Sequence, residues 1–277
     1  MERKAPVCNV IPFSYVDGPG NRTSVFFQGC GFRCTYCHNP ESISLCNNCG
    51  ACVPQCPVNA LYMQDGEVHW NAELCCGCDK CIQVCPNSSN PRIRMLTAAQ
   101  IWQECLPQLP FIQGITVSGG ECTQQHLLLP ELFDLAHKAG KTAFVDTNGQ
   151  TLFCDMPQLT QAMDMAMLDV KSADEEEHKA LTGQSCANVL KNLVYLAQHK
   201  KLYEVRTVVV PGQRFTDTVD KVSRILADYP EVNYKLIRFR NWGVRGALQD
   251  MQSPPTQTME ELQKLAKANG VQKIEVV

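Results

Sequence analysis

Apolar and polar positions follow more than one rhythm along this 277-residue chain, and the change of rhythm divides it. Residues 22–28, Arg-Thr-Ser-Val-Phe-Phe-Gln, form a β-branched and aromatic run that stops at Gly29, which predicts a strand feeding a loop. From residue 97 onward, helical spacing and short apolar runs take turns. Helices are predicted over 97–105, 126–139, 189–199, 216–227 and 259–268, and strands over 115–118, 142–146, 165–170, 203–210 and 234–238, with a last strand after these. Repeating strand-helix units imply an α/β protein with a parallel sheet. Such sheets take ligands at the carboxyl ends of their strands, and the unusual polar residues gather there: Gly119-Gly120-Glu121, Asp146-Thr147-Asn148-Gly149 and Asp169-Val170-Lys171. A single active face is predicted.

Between 46 and about 92 both rhythms fail. Cysteine, asparagine and proline dominate, leaving room for short turns and one hairpin near 61–70. We read 43–92 as an inserted module, and 1–42 with 93–277 as the core that carries it. The length suits one barrel-type domain with an insertion.

Cysteine usage changes the picture most. Seventeen cysteines suggest a disulfide framework, buried thiols or metal ligands. A disulfide scaffold is typically short and secreted, and no signal-peptide-like stretch opens this chain. Eleven cysteines also fall into regular spacings. Two runs repeat within the module: Cys46-x2-Cys49-x2-Cys52-x3-Cys56-Pro57 and Cys75-x2-Cys78-x2-Cys81-x3-Cys85-Pro86. In two-cluster ferredoxins the fourth cysteine of each run serves the other cluster. One four-iron cluster would then take Cys46, Cys49, Cys52 and Cys85, and the other Cys75, Cys78, Cys81 and Cys56. Cys76 fits neither register. Zinc ribbons would need tetrahedral sets of four; the third cysteine in each tight run and the prolines after Cys56 and Cys85 favour iron-sulfur.

Cys30-x3-Cys34-x2-Cys37 is different, because three thiolates cannot complete a four-iron cluster. One iron is left open, as open positions mark catalytic metal sites. A net charge of -3 without a basic run argues against nucleic acid as a partner. No apolar stretch approaches bilayer length. A cytoplasmic location without membrane attachment is expected.

The three-cysteine spacing resembles the radical-SAM superfamily, in which the open iron chelates the methionine part of S-adenosylmethionine (SAM). More narrowly, the chain resembles the activating enzymes of glycyl-radical enzymes, pyruvate formate-lyase activase among them. The resemblance rests on Asp17-Gly18-Pro19-Gly20-Asn21-Arg22, Phe26-Phe27-Gln28-Gly29-Cys30, Cys34-Thr35-Tyr36-Cys37-His38-Asn39-Pro40, Asp146-Thr147-Asn148-Gly149, Met167-Leu168-Asp169-Val170-Lys171 and Arg206-Thr207-Val208-Val209-Val210-Pro211-Gly212, in that order. The total length, with Val16-Asp17-Gly18-Pro19-Gly20, looks most like the YjjW-type activases.

This resemblance implies an incomplete (β/α)6 radical-SAM barrel with a two-cluster ferredoxin-like insert. It implies three 4Fe-4S clusters and SAM, with Tyr36 and Val208 against the adenine, Gly119, Gly120 and Glu121 around the SAM ammonium, and Lys171 and Arg206 toward its carboxylate. A monovalent cation near that carboxylate would take Asp146, Thr147, the backbone of Met167, and Asp169. Asp17 and His38 would flank the entrance used by the partner. Position 122 departs from a frequent proline, and Cys122 is expected either near the cofactor or as a small filler. Arg240 stands near a frequent histidine and would meet the SAM carboxylate or ribose.

The implied reaction is abstraction of hydrogen from one backbone glycine of a partner enzyme, giving methionine and 5′-deoxyadenosine, with reduced flavodoxin or ferredoxin as electron source. Two other readings are weighed against it: a radical-SAM enzyme acting on a small molecule, peptide or RNA, and a polyferredoxin electron carrier.

Overall fold

Short, mostly apolar strands such as Met165–Asp169, whose Ala166, Met167 and Leu168 are buried, cannot face water on either side. They assemble into one nine-stranded sheet in a computed structural model that describes residues 2–277. In chain order the strands are β1 (Ala5–Ser14), β2 (Arg22–Phe27), a separate pair β3 (Leu61–Gln64) and β4 (Glu67–Trp70), β5 (Arg94–Leu96), β6 (Gly114–Gly119), β7 (Thr142–Thr147), β8 (Met165–Asp169), β9 (Leu202–Val209), β10 (Asn233–Arg238) and β11 (Lys273–Val276). The large sheet runs β11-β10-β9-β8-β7-β6-β2-β1-β5. From β2 through β11 all neighbours are parallel. A partial (β/α)6 barrel results, with β11 as an added strand.

The helices are α1 (Lys80–Gln83), α2 (Ala98–Cys105), α3 (Leu129–Lys138), α4 (Pro157–Ala162), α5 (Glu175–Thr182), α6 (Ala187–Gln198), α7 (Phe215–Leu226) and α8 (Thr256–Ala268). Each long one presents an apolar stripe to the sheet: α7 buries Phe215, Val219, Val222 and Leu226, and α3 buries Leu129, Leu132, Phe133 and Ala136. Helix α3 begins later than the periodicity predicts. Pro130, which lacks an N–H, is tolerated only in its first turn, and Cys122–Gln125 makes a tight turn instead. No helix among the described residues is long and apolar enough to cross a membrane.

The strands of the predicted strand-helix units all pair in parallel, and at one edge the sheet gains β1, which pairs antiparallel with both β2 and β5. A short connection from Ser14 to Arg22 permits only an antiparallel neighbour. The crossover from β2 to its parallel neighbour β6 contains the whole cysteine-rich segment. That segment holds the β3–β4 hairpin and a small core of Cys52, Leu61 and Cys81 with Val68 and Trp70 against it.

Candidate active site

The loop after β2 is held on both sides by hydrogen bonds to backbone carbonyls, with its Phe32 and Tyr36 buried in the core. Gly29 N–H donates to Ser42 O at 2.9 Å and Cys30 N–H to Ile43 O at 2.9 Å, while the buried Gln28 amide donates to Glu41 O and Ser44 O, both at 2.6 Å. On the far side Arg33 N–H donates to Thr182 O and Thr35 N–H to Leu181 O, so the end of α5 is a second rail for the loop. Asp174 caps α5 and Gly183, with φ 77°, ends it.

His178 of α5 packs edge-on to Phe32 of the cysteine loop, ring centroids 5.4 Å apart, and its Nδ1 lies 2.8 Å from Gln184 O. Burial holds its imidazole below the usual value of 6.5. The folded protein therefore keeps His178 neutral where the unfolded chain already takes a proton. The stability this contributes is whole above the unfolded value and is lost as pH falls toward the lower folded one. Urea midpoints measured between about pH 7.5 and 5 should decline with acid, and His178→Gln should flatten that decline. An equally steep slope in the variant would show that other groups carry it.

A cavity of about 390 Å³ opens at the carboxyl ends of the strands. It brings together Cys30, Cys34 and Cys37 from the loop, Ser118 and Gly120 around the end of β6, Asp146, Thr147 and Asn148 around the end of β7, Asp169 and Lys171 around the end of β8, and Arg206 and Val208 from β9. Tyr36, Asp17 and His38 also line it. Burial pushes the Cys30 thiol up to about 12 and the Cys34 thiol to about 11, and raises Cys37 as well, so as bare groups they stay protonated. Metal coordination reverses that preference by deprotonating a thiol outright. All seventeen cysteines are free of disulfides. Among the described residues no three His, Cys, Asp or Glu side chains converge as one metal ion requires. A four-iron cluster does not require it, because each thiolate binds a different iron.

The charged lining is paired. Lys171 Nζ lies 2.7 Å from Asp169 Oδ2 and 5.7 Å from the Tyr36 ring centroid. Burial works against the Lys171 ammonium, but Asp169 and its other neighbours hold its pKa well above the usual value. Arg206 reaches both Asp146 oxygens at 3.2 Å, Glu204 at 2.6 Å and the carbonyl of Val16 at 3.1 Å. It is thus an inward ion pair. Burial holds the Asp146 carboxyl above the ordinary carboxylate range, although Arg206 beside it pulls the other way. Of the four groups expected to hold a cation, Asp146, Thr147 and Asp169 line this cavity, Met167 stands opposite Asp146 in the β7–β8 register, and the Thr147 hydroxyl donates to Glu121 at 2.8 Å.

Of the three residues expected at the SAM ammonium through their backbone carbonyls, Gly119 and Glu121 do not line the cavity. Gly119 has φ +117°, and a Cβ there would land on the Phe27 backbone; at Gly120 it would meet the carbonyls of Gly29 and Ser42. These glycines let β6 press against the cysteine loop, and only Gly120 lines the cavity. Glu121 is buried and does not line it. Its carboxylate accepts from Thr123 N–H at 3.0 Å, Thr123 hydroxyl at 2.6 Å, Thr147 hydroxyl at 2.8 Å and Asn148 N–H at 2.7 Å, tying two strand ends together. Cys122 is a buried filler whose thiol donates to Asp146 O at 3.2 Å, and Arg240 is exposed outside the cavity, its carbonyl 2.8 Å from His38 Nε2. Asn148 was not singled out in the sequence, although it stands inside the Asp146-Thr147-Asn148-Gly149 turn. Its side-chain amide lies 3.4 Å from Cys30 Sγ.

In the cysteine-rich segment the two runs interlock. Cys46, Cys49, Cys52 and Cys85 line one small cavity, and Cys56, Cys75, Cys78 and Cys81 line another together with Trp70 and Arg92. Each cavity therefore takes three cysteines from one run and the fourth from the other. Cys76 lines the second as well.

A family model described as the radical SAM superfamily matches residues 24–222. The choline trimethylamine-lyase activating enzyme of Oleidesulfovibrio alaskensis is 32% identical over 255 residues, which cover 85% of this chain and 81% of that protein. The isethionate sulfite-lyase activating enzyme of the same organism is 29% identical, with 95% and 93% covered. Among solved structures, a domain of pyruvate-formate lyase-activating enzyme from Bacteroides vulgatus superposes with a TM-score of 0.51 at 19% identity, covering 60% of this chain and 99% of that one. This last likeness speaks to the fold.

Proposed function

The chain belongs to the radical SAM superfamily, and from that premise we propose that it activates a glycyl-radical enzyme by removing one hydrogen atom from a backbone glycine. The observation that carries the reading is the convergence of Cys30, Cys34 and Cys37 with Lys171, Arg206 and Tyr36 on one cavity, in a chain similar to activating enzymes along most of its length. Those cysteines would hold a four-iron cluster, which would supply the one electron that divides SAM into methionine and a 5′-deoxyadenosyl radical able to take that hydrogen.

The chain's own residues bind and orient. Lys171 and Arg206 are the cations available to the SAM carboxylate, and Asp169 and Asp146 hold them in place until it arrives. Tyr36 and Val208 form an apolar wall suited to adenine, and the Gly120 backbone leaves room for the ammonium. The buried lining excludes water from a reactive carbon. A monovalent cation beside Asp146 and Asp169 belongs to this reading, with the Thr147 hydroxyl oxygen and the Met167 backbone carbonyl as its other donors.

We read the interlocked cysteine sets as ligands of two further four-iron clusters in a ferredoxin-like insert spanning 43–92, with flavodoxin or ferredoxin as reductant. The length and the Val16-Asp17-Gly18-Pro19-Gly20 segment favour the YjjW-type activases within the family. Seventeen unpaired cysteines suit a reducing cytoplasm. If the insert relays electrons, Cys49→Ala and Cys78→Ala should each slow turnover with the protein reductant; unchanged turnover would remove the insert from the path.

The direct experiment is anaerobic. The reconstituted, reduced protein is given SAM and a glycyl-radical enzyme, and electron paramagnetic resonance is recorded beside an assay of 5′-deoxyadenosine. A glycyl doublet is expected. Deoxyadenosine without a doublet, across a panel of such enzymes, would turn the reading toward another substrate.

A further inference from the structure

Among the three cysteines of the catalytic loop, Cys30 receives a side-chain hydrogen bond that the others do not, among the described residues. Asn148, buried after β7, places its amide nitrogen 3.4 Å from Cys30 Sγ. The orientation of that amide is set by its other end: Asn148 Oδ1 accepts from Gln150 N–H at 2.9 Å, which leaves the NH2 group to face the sulfur. The backbone beneath is braced in turn. Asn148 N–H donates to Glu121 Oε2 at 2.7 Å, and the Thr147 hydroxyl both donates to Glu121 Oε1 at 2.8 Å and accepts from Gly149 N–H at 3.0 Å. Glu121 itself belongs to the loop after β6, so the donor is fixed by two strands at once.

We propose that Asn148 is a positioning residue that tunes the catalytic centre, its N–H donated to Cys30 sulfur raising the ease with which that centre accepts an electron, with Glu121 as the brace that holds it there. The inference rests on the reading of Cys30 as a cluster ligand. A thiolate bound to iron gains electron density when the cluster is reduced, and an N–H aimed at it stabilises the reduced form more than the oxidised one. In a buried site that interaction is little screened.

The test is potentiometric. Reconstituted wild type, Asn148→Asp and Asn148→Ala are assayed for iron and sulfide per chain. The reduced spectrum is then titrated against potential, following only the component that SAM perturbs, since that component reports the open iron. Asn148→Asp keeps the acceptor for Gln150 and removes the donor. In both variants the midpoint of the SAM-sensitive component should move to more negative potential while the remaining iron-sulfur signals keep theirs, and turnover should fall with a mild reductant and recover with a stronger one. Unmoved midpoints at full iron content would overturn the proposal. Should the Asn148 variants lose iron, Glu121→Gln leaves every cysteine and Asn148 in place; a smaller shift in the same direction supports the brace, and none overturns it. Wild type that binds iron but shows no SAM-sensitive component would instead refute the functional reading on which this rests.

Discussion

Cys34→Ala should abolish 5′-deoxyadenosine formation to the uncatalysed background while leaving the far-ultraviolet circular dichroism spectrum unchanged. The two halves of that expectation come from different features of the same residue. Chemically, Cys34 is one of only three thiols in the cavity, so its loss leaves two where a cluster with one open iron needs three. Structurally, the loop keeps its shape through the backbone bonds of Gly29, Cys30, Arg33 and Thr35, none of which involves the Cys34 side chain. Removing one partly buried sulfur should cost about 1 kcal/mol, well inside the margin of a folded domain. Cys154→Ala is the control, because that thiol is exposed and lies outside the three cysteine-lined cavities. Turnover retained in Cys34→Ala would mean that the three-cysteine site is not the catalytic centre.

Arg22→Ala should reverse the pattern, with a stability loss of about 3–5 kcal/mol seen by chemical denaturation. Arg22 opens β2, yet its side chain is only 1% exposed and turns inward. Its guanidinium donates to the Thr116 hydroxyl at 2.7 Å, the Thr142 hydroxyl at 3.0 Å, Ile115 O at 2.6 Å and Thr142 O at 3.2 Å, and stands 4.2 Å over the Phe144 ring. Burial draws its pKa down to about 10, which leaves it charged at neutral pH. Alanine would strip these acceptors of their donor and open a void between β6 and β7. Lysine should recover only part, since one ammonium cannot reproduce a planar fork. A loss below about 1 kcal/mol for alanine would show that water replaces the guanidinium there.

The strands and helices with strong periodicity were legible. The predicted strand over 142–146 is Thr142–Thr147, and the predicted helix over 216–227 is Phe215–Leu226. What escaped had weak local signals. Strand β1, Ala-Pro-Val-Cys-Asn-Val-Ile-Pro-Phe-Ser, carries two prolines and two register shifts, so its alternation is broken, and a place beside the sheet edge tolerates both. Helix α5 opens with three glutamates and buries only His178, Leu181 and Thr182; its Asp174 cap and Gly183 stop were visible, but its apolar stripe is too thin to announce it.

The candidate site divides the same way. Cysteine spacing brought together the residues that line each cysteine cavity, because spacing is a property of the chain. Glu121 was expected at a ligand through the motif's backbone carbonyls; its side chain is a buried tie between strand ends, which no motif announces, since a motif shows which residues are present but not which way a side chain turns. Asn148 was overlooked for the converse reason. Its partner Cys30 is far away in sequence, and no local pattern records that contact.

The crossover between β2 and β6 also bears on how the protein is made. From β6 to β11 every parallel neighbour is the next strand in sequence, reached after one helix or, between β8 and β9, two, so these pairings close comparatively short loops. Pairing β2 with β6 must instead close over everything from Phe27 to Gly114, the cysteine-rich segment included. Long closures cost more chain entropy and slow the step that needs them. Amides of β7 to β10 should therefore gain exchange protection before those of β2 when the chain folds. The loop bearing Cys30, Cys34 and Cys37 follows β2 directly, so the cavity would gain its three thiols only when that late strand docks, and assembly of the cavity and completion of the sheet fall at the same moment in the life of the chain.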